Sequence, residues 1–536
     1  MAQRRKLYQI MDDRLAQERG TITKHAPVRV ALTYPSPYHI GMSSLGYQVI
    51  YRLLNEREGV VCERAFLPDD VEAWKAARAP LVTYETRQPV GDSPVIAFSL
   101  AYELELPGVL ECLRLSGVPV LASERGQGWP LVVVGGPLTF SNPVPAGPFA
   151  DVIIMGEAEE AIGELMDLIC EGADSDRPAL LQELARRPGF YVPSIHGERA
   201  TAVIAASLSL LPAYSTILTP NTELSNMHLV ESERGCHRAC TFCVMRRSTN
   251  GGMRLCSPEQ IIDTVPDYAT KVGLVGAAVS DHPKLVPLVK ELVESGRQVS
   301  LSSLRADRLT PELLHWLTEG GYRTITVASD GASERLRIMM KKHIRAKHLR
   351  RAAELVRDHG RGKLKVYMMI GVPGETQEDL EELVEFSREL ASIASLAMGI
   401  STFVAKRNTP LDRQPFAGIK PVEAKLKFLR RELGRKIDLR STSARWAWVE
   451  YCLAQGGFAM GMAAKEAWER GGRFADWKKA IKNHGGAPVG DAPLPAVPRN
   501  RAERLAMSDA RKAREEGRPW PPRLKMAQSA EVPSNG

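Results

Sequence analysis

Three cysteines, Cys236, Cys240 and Cys243, stand in a Cys-x3-Cys-x2-Cys spacing within the stretch Glu-Arg-Gly-Cys-His-Arg-Ala-Cys-Thr-Phe-Cys. Three thiolates this close in sequence can reach three corners of one metal cluster. A mononuclear structural zinc site would want a fourth ligand, usually from a second Cys or His pair, and no such pair follows. A [4Fe–4S] cluster on three thiolates keeps one iron open for a small chelating molecule with an amine and a carboxylate. The spacing therefore predicts a cluster loop, with buried structural cysteines or a zinc loop as the alternative.

Length and composition set the broad class of protein. With 536 residues the chain is too long for a single core, and two or three domains are expected. Hydrophobic residues make up 44% and charged residues 25%, which is typical of a soluble globular protein. No apolar run approaches a membrane span, and the charged N-terminus lacks the apolar core of a secretion signal. Eight cysteines without a pairing pattern agree with a reducing compartment, so we predict a cytoplasmic protein with no membrane partner.

The net charge of +8 comes from 71 basic and 63 acidic residues, and basic residues cluster in stretches such as IMMKKHIRAKHLRR, residues 338–351. Such stretches are usually solvated helix faces. The alternative is a tRNA or another anionic partner. No basic stripe is interleaved with aromatic residues and no RNA-binding module is recognisable, so a nucleic-acid partner is not expected.

From residue 28 the chain alternates between strand-like and helix-like stretches. Apolar runs at 28–35, 94–104 and 130–145 end in polar or glycine-rich loops, and stretches with helical apolar spacing, such as 41–58, lie between them. This alternation predicts an α/β fold with a parallel sheet and helices on both faces. Ligands bind such sheets at the carboxyl ends of the strands, where these loops fall.

The cysteine stretch resembles the cluster-binding loop of the radical S-adenosylmethionine (SAM) enzymes. The resemblance implies a [4Fe–4S] cluster on Cys236, Cys240 and Cys243, as metal ligands and catalytic residues, with SAM bound at the open iron. In that superfamily an electron from the cluster cleaves SAM to methionine and a 5′-deoxyadenosyl radical. An external electron donor of the flavodoxin or ferredoxin type is implied as a partner.

Later segments resemble the strands of a partial (β/α)6 radical SAM barrel, in the order that barrel requires. The family's Gly-Gly-Glu, whose backbone holds the SAM amine, is replaced here by Val-Ser-Asp at 279–281. For Glu334 and Arg337, an exposed ion pair is the alternative to a contact with SAM. The resemblance implies the following SAM contacts: Ser280, Asp281, Ser302, Ser303, Arg305, Ser333, Glu334, Arg337, Gly371 and Pro373.

Ahead of the barrel, Val-Gly-Gly-Pro at 134–137 and Gly-Glu-Ala-Glu at 156–159 resemble the end of a cobalamin-binding domain. Glycines let backbone approach a large planar ligand closely. The DxHxxG motif that supplies a cobalt-ligating histidine is absent, so cobalamin should bind without it. The alternative is a Rossmann-like domain that does not bind cobalamin. The resemblance implies cobalamin contacts from four residues: Gly135, Gly136, Gly156 and Glu157.

These observations predict six segments along the chain. They are an N-terminal helix (1–27), a Rossmann-like, cobalamin-binding-like domain (28–185), a linker (186–220), the partial barrel (221–425), a small helical region (426–485) and a disordered tail (486–536).

The leading functional hypothesis is a radical SAM enzyme, with cobalamin serving methyl transfer or a radical rearrangement of an unidentified small-molecule or peptide substrate. One alternative is a tRNA-modifying methylthiotransferase. Such enzymes hold a second cluster on three N-terminal cysteines, but here Cys112 and Cys170 fall on apolar faces of predicted helices, where cysteines are usually core residues. The other alternative is an iron–sulfur protein that transfers electrons or senses redox state without cleaving SAM.

Overall fold

The computed structural model describes residues 2–172, 176–245, 252–302, 304–359, 362–434 and 436–496. The chain divides into two compact units, Met1–Leu494 and Pro495–Gly536, and of the second unit only residues 495 and 496 are described. The disorder predicted for the tail therefore lies mostly outside the described residues. Within the described residues, no helix combines the length and the apolar character needed to cross a membrane.

The first half of the chain folds around a six-stranded sheet in the order β2-β1-β3-β4-β5-β6, parallel except for β6. Its strands are β1 Val28–Tyr34, β2 Val60–Phe66, β3 Val95–Ser99, β4 Leu131–Gly135, β5 Val152–Ile154 and β6 Phe190–Tyr191. Its helices are α1 Ala2–Leu15, α2 Tyr38–Gly41, α3 Leu45–Glu56, α4 Val71–Ala76, α5 Leu106–Leu115, α6 Ala161–Glu171, α7 Arg177–Ala185 and α8 Pro193–His196. Every residue of β2 and β5 is buried, as expected where helices cover both faces of a parallel sheet.

The strand order of this sheet defines where a ligand can bind. The chain first adds β2 to one side of β1 and then β3, β4 and β5 to the other side. Connections therefore leave β1 and β3 in opposite directions, which opens a crevice beyond their carboxyl ends. The predicted Rossmann-like fold is confirmed, and its crevice faces the loops after Tyr34 and Ser99.

The second half forms an open arc of parallel strands. One sheet has the order β7-β10-β11 and another β12-β13-β14-β15, and a single parallel bridge between Leu304 and Val327 connects them. Across the described residues the arc does not close, which agrees with the predicted partial barrel. The strands are β7 Met227–Glu231, β10 Lys271–Val275, β11 Gln298–Leu301, β12 Thr324–Gly331, β13 Lys363–Ile370, β14 Leu396–Thr402 and β15 Asp438–Ser441, and a separate antiparallel pair is β8 Glu233–Gly235 and β9 Met253–Leu255.

Helices follow most strands of the arc and pack on its outer side. Their starts follow local rules: at α9, the amide of Gln260 donates to the Ser257 hydroxyl over 3.2 Å while the Gln260 side chain accepts from the Ser257 amide over 2.9 Å. The helices are α9 Pro258–Asp263, α10 Leu285–Glu294, α11 Pro311–Glu319, α12 Glu334–Met339, α13 Ala346–Asp358, α14 Gln377–Ile393, α15 Ile419–Leu433, α16 Ala444–Gln455, α17 Phe458–Glu469 and α18 Phe474–Asn483.

Three predicted segments differ from the structure at their edges. The N-terminal helix ends at Leu15 rather than extending to residue 27. The predicted linker begins with β6, which joins the first sheet antiparallel to β5. The region predicted as helical, 426–485, also contains β15, because a short polar segment there pairs with β14. Just beyond it, Ala492 and Pro493 hydrogen-bond to the loop at 413–414.

Candidate active site

The cysteine loop follows β8 and lies at the carboxyl ends of the arc strands. Cys236, Cys240 and Cys243 are each partly exposed and form no disulfide. The loop backbone is held from outside, since the Thr241 amide donates to the Met340 carbonyl and the Thr241 carbonyl accepts from the Leu411 amide, at 3.0 and 3.1 Å. The sequence-predicted ligands are thus presented together on one anchored loop.

The three thiols lie close enough to influence one another's ionisation. Within the described residues, no group of three His, Cys, Asp or Glu side chains is placed to hold one metal ion. A cubane needs another arrangement, because each thiolate binds its own iron. Burial raises the pKa of Cys243 to about 11, and the nearby Cys240 and Cys236 raise it further. The positive charge of bound iron would stabilise thiolates that otherwise repel one another.

Two of the predicted SAM contacts lie beside this loop at the end of β10. The Ser280 hydroxyl accepts a hydrogen bond of 3.0 Å from the amide of Arg305, a third predicted contact. The Asp281 carboxylate accepts from Arg238 at 2.6 and 2.9 Å and from Arg308 at 3.1 Å. Burial opposes ionisation of Asp281, but Arg238 offsets it and lowers the pKa of this carboxyl. Asp281 is therefore an anion that fixes the loop residue Arg238.

The residues after β11 continue this edge of the site. The Ser302 hydroxyl donates to the Gly276 carbonyl at 3.0 Å, which ties the end of β11 to the loop after β10. The guanidinium of Arg305 is buried and hydrogen-bonds to Asp307 at 3.0 and 3.1 Å. Ser303 lies outside the described residues.

The predicted contacts at the start of α12 hold protein groups. Ser333 caps the helix and donates to Asp379 of α14 at 2.6 Å. The Glu334 amide donates to Glu382, and its carboxylate lies 4.0 Å from Arg337. The Arg337 guanidinium is buried and donates to the carbonyls of Ile344 and Gly331 at 2.9 and 3.1 Å.

Ser333 and Arg337 thus make contacts within the protein, and their contact with SAM stays a prediction. Burial lowers the pKa of Arg337, as expected for a guanidinium that has little water around it.

The loop after β13 makes a tight turn that contains the predicted contacts Gly371 and Pro373. Gly371 and Gly374 have φ of 74° and 76°, a conformation that favours glycine, and Pro373 between them is buried. The Gly371 amide donates to Glu375 at 3.0 Å.

A mainly apolar cavity of about 320 Å³ lies at the carboxyl ends of β1, β3, β4 and β5. Its opposite wall comes from the second half of the chain and includes Glu231, Arg234, Val275 and Met245, which stands two residues after Cys243. The cavity thus connects the crevice of the first sheet to the cysteine loop. The wall of the cavity that comes from the first sheet contains all four predicted cobalamin contacts. They are Gly135, Gly136, Gly156 and Glu157.

The glycines at this wall serve different purposes. A Cβ on Gly135 would meet no atom within 4 Å, so the missing side chain leaves room in the cavity. Gly136 and Gly156 have φ of 104° and 96°, and a Cβ there would collide with the backbone of Leu100 and Ile204. The prediction that glycines give a ligand close access therefore fits Gly135, whereas the other two are required by backbone packing.

The largely apolar lining of the cavity, which contains no histidine among the described residues, suits the face of a flat ring, and its volume of about 320 Å³ encloses only part of a molecule as large as cobalamin. That cobalamin would bind without a histidine ligand from this domain stays a prediction. Glu157 is not free to bind it. Its carboxylate accepts from the Ala206 amide at 2.8 Å, from Arg234 at 3.2 Å and from Arg254. Glu157 instead joins the first sheet to both sides of the cysteine loop.

Sequence reasoning missed Glu233, which is fully buried three residues before Cys236. Its Oε1 accepts a hydrogen bond of 2.6 Å from the Ala278 amide, and its Oε2 has no hydrogen-bond partner within the described part of the chain. Burial raises the pKa of Glu233 to about 8, and the charges of Glu231 and Asp281 add to the effect. The available signal was an acidic residue in the short strand β8, three residues before the first cysteine of the motif.

A second missed group connects the two halves away from the cavity. Lys406, after β14, donates to Glu103, after β3, and to Glu450 of α16, each over 2.7 Å. Glu103 is buried, and this raises its pKa, while Lys406 has the opposing effect. The group places the carboxyl ends of β3 and β14 against each other.

Comparison with known proteins agrees with this site. Residues 46–193 match the family model "Radical SAM proteins, N-terminal", and residues 230–387 match the model of the radical SAM superfamily. The two ranges together span more than half of the chain, which belongs to the radical SAM superfamily. Members of this superfamily use a [4Fe–4S] cluster and SAM as cofactors and commonly need an external reductant.

Individual relatives are more distant. An uncharacterized protein of Methanocaldococcus jannaschii is 26% identical over 401 residues, 72% of this chain and 80% of that protein. A tRNA-2-methylthio-N(6)-dimethylallyladenosine synthase of Halalkalibacterium halodurans is 26% identical over 200 residues, only 33% of this chain and 37% of that enzyme. The radical SAM methyltransferase TsrM of Kitasatospora setae, solved with cobalamin and a [4Fe–4S] cluster, covers 75% of each chain with a TM-score of 0.53 and 16% identity. At this identity the likeness to TsrM concerns the fold.

Proposed function

We propose that this radical SAM enzyme binds its [4Fe–4S] cluster on Cys236, Cys240 and Cys243, cleaves SAM reductively, and uses cobalamin held in the cavity for methyl transfer or a radical rearrangement. The observation that carries the proposal is the position of Met245. It lines the cavity of the first sheet and stands two residues after Cys243. A ligand in the cavity and a cluster on the loop would therefore face each other.

The chain's own residues would orient SAM at the cluster. The open Oε2 of Glu233 lies beside the loop after β10, where the superfamily's Gly-Gly-Glu holds the amine. A buried carboxylate oxygen is a strong acceptor for an ammonium group, and the positive charge of a bound ammonium would lower the raised pKa of Glu233 so that the carboxyl is ionised in the complex. We therefore assign to Glu233 the amine contact that Val-Ser-Asp does not supply by sequence. Once bound, the cluster supplies the electron that breaks a carbon–sulfur bond of SAM, and cobalamin would serve as a methyl carrier.

The protein excludes water from this chemistry by its architecture. The wall of the cavity from the first sheet is mainly apolar, and the opposite wall adds Val275 and Met245 beside the charged Glu231 and Arg234. The Glu103–Lys406–Glu450 group connects the two halves of the chain. An apolar lining limits the water around a reactive radical and so limits side reactions. These features support chemistry on a substrate enclosed between the sheet and the arc.

The test is anaerobic reconstitution with iron, sulfide and cobalamin, followed by metal analysis and reduction with dithionite in the presence of SAM. We expect about four iron and about one cobalt per chain, and formation of 5′-deoxyadenosine or of S-adenosylhomocysteine. Iron without cobalt, together with 5′-deoxyadenosine, would contradict the cobalamin part alone. An intact cluster with no SAM cleavage would contradict the enzyme and favour a redox protein.

The tRNA methylthiotransferase alternative lacks a site for its second cluster within the described residues. Cys62 on β2 and Cys112 on α5 are fully buried, and burial raises the pKa of both thiols. Cys170, on α6, is exposed, which corrects the prediction that it lies on an apolar face. The three cysteines sit on different elements with different surroundings, so they do not support this function.

A further inference from the structure

The basic stretch around residues 341–351 lies against the cysteine loop. The Met340 carbonyl accepts the Thr241 amide at 3.0 Å, and the Lys341 carbonyl is 4.0 Å from the Cys240 sulfur. From there the chain enters α13 at Ala346. The basic stretch therefore lies next to the predicted cluster site, although its sequence is typical of a solvated helix face.

Cations from two other loops extend this surface. Arg238 of the cysteine loop and Arg308 meet at Asp281, and Arg305 reaches the Lys342 carbonyl at 3.4 Å. We call the resulting surface the cationic patch, and define it by these residues: Arg238, Arg308, Lys341, Lys342, Arg345 and Lys347.

The carboxylates that adjoin the patch are already paired. Asp281 binds Arg238 and Arg308, Asp307 binds Arg305, and Asp330 binds Lys342 at 2.5 Å. Glu334 lies within 4.0 Å of Arg337.

Other cations of the patch have side chains that are exposed to water. Lys341 and Lys347 are exposed and have no ion pair within the described residues, and the Arg308 side chain is 52% exposed. The patch therefore presents an excess of positive charge beside half-exposed thiols.

We propose that the cationic patch docks an acidic, low-potential electron-donor protein. The inference rests on the proposed function, because only a cluster on the three cysteines gives the donor an acceptor. One electron leaves the donor's flavin or iron–sulfur group and reduces the cluster from the 2+ to the 1+ state, and no bond forms or breaks in this step. Opposite surface charges steer such encounters and raise association rates.

The position of the patch favours a protein donor over a tRNA. Electron transfer needs a short path, and the Lys341 backbone is in contact with Cys240. The experiment below also measures the binding of tRNA.

The experiment measures binding of a flavodoxin and of a plant-type ferredoxin to the cluster-loaded protein at low and high salt. The test variant is Lys341→Asn with Lys347→Glu. Asn is chosen at 341 because Lys341 has φ of 52°, which Asn tolerates. The matched control is Lys478→Asn with Lys479→Glu, the same charge change on exposed residues of α18. Thermal melting checks that each variant is folded.

We expect at least one donor to bind wild type and control alike, and the test variant about fivefold or more weakly at low salt, with the difference shrinking as salt screens the charges. Reduction of the cluster by that donor should slow in parallel, whereas dithionite should reduce all three proteins equally. Equal donor binding by all three proteins, no donor binding by wild type, or patch-dependent binding of tRNA alone would overturn the proposal.

This design separates the docking proposal from the proposed function. Loss of SAM cleavage with dithionite in the wild type would refute the proposed function, while donor binding still reports on the patch. Normal cleavage with dithionite but unchanged donor binding in the test variant would refute the docking surface alone.

Discussion

The Glu233 carboxylate accepts a hydrogen bond of 2.6 Å from the Ala278 amide, 45 residues further along the chain, and so links the strand before the cysteine loop to the end of β10. Replacement by Gln keeps the Oε1 acceptor but puts an NH2 group where the open Oε2 was. Since an amide nitrogen cannot accept from the SAM ammonium, we expect Glu233→Gln to weaken SAM binding about tenfold or more. Equilibrium binding to the cluster-loaded protein measures this, and an unchanged dissociation constant with a normal iron content would count against the assignment.

Cys240→Ala should prevent stable binding of the cluster. Two remaining thiolates leave two irons without protein ligands, so iron and sulfide content, the visible absorbance and the EPR signal after reduction should all fall close to background. The control is Cys170→Ala, which removes an exposed thiol far along the sequence from the loop and should keep about four iron per chain. Normal iron and sulfide in the Cys240 variant would show that our ligands are wrong.

Gly135→Leu should block the cavity while the fold persists. A Cβ added at this position has no neighbouring atom within 4 Å and the backbone has no positive φ, so a side chain there enters open space. We expect cobalt uptake from supplied cobalamin to fall about tenfold or more with iron content unchanged, because the obstruction is in the ligand space. Gly126→Leu, on an exposed loop with equally open surroundings, is the control. Wild-type cobalt content in Gly135→Leu would place cobalamin elsewhere.

His228 should make stability depend on pH. Burial in β7, with a smaller effect of Arg297, lowers the pKa of His228 from 6.5 to about 4. The unfolded chain then binds the proton first, so the stability gained by keeping the ring neutral is complete above pH 6.5 and is lost as pH falls toward 4.

His228→Leu removes this dependence. Relative to the variant, the wild type should lose about 2 kcal/mol of unfolding free energy between pH 7 and pH 5, as measured by denaturant titration of the cluster-free protein. Parallel pH profiles for the two proteins would mean that His228 has the same pKa in the folded and the unfolded chain.

Lys406→Met should destabilise the contact between the two halves. The change leaves the Glu103 carboxylate buried without its cation, and such a charge costs about 2 kcal/mol or more. The double variant Lys406→Met with Glu103→Gln removes the charge and should recover most of that loss. Denaturant unfolding of the three proteins compares them, and a single variant as stable as wild type would mean that Glu103 takes up a proton or reaches water.

Periodicity was sufficient to predict the alternating elements, because β3 and β4 are short apolar runs that are almost fully buried and β1 is buried from Val30 onward. It could not predict β15. The segment Asp438–Ser441 is polar, and its pairing with β14 depends on tertiary contact rather than on local preference. Site residues divide in the same way. The cysteine spacing is local, whereas the partners of Glu233 and Lys406 are 45 and 303 residues away.

The type of a residue also did not determine which contacts the residue makes in the folded protein. Arg337 suited a carboxylate contact by its chemistry, but its donors are directed to the carbonyls of Gly331 and Ile344 in a buried setting. Gly136 and Gly156 matched a ligand-approach pattern, but their backbone conformation and close neighbours already require glycine. In each case the deciding contact comes from folded neighbours that no single stretch of sequence identifies.

The carboxylate of Glu157 binds Arg234, two residues before Cys236, and Arg254, on the strand that returns from the loop. The cysteine loop is thus held on both sides by a residue from the first sheet, which would also hold the second cofactor under the proposed function. If a ligand that orders the first sheet also orders the thiols, linkage requires the coupling to act with equal strength in both directions. Maturation of this enzyme should accordingly be cooperative: protein loaded with one cofactor acquires the other at lower concentration, and half-loaded molecules are a minority of the population.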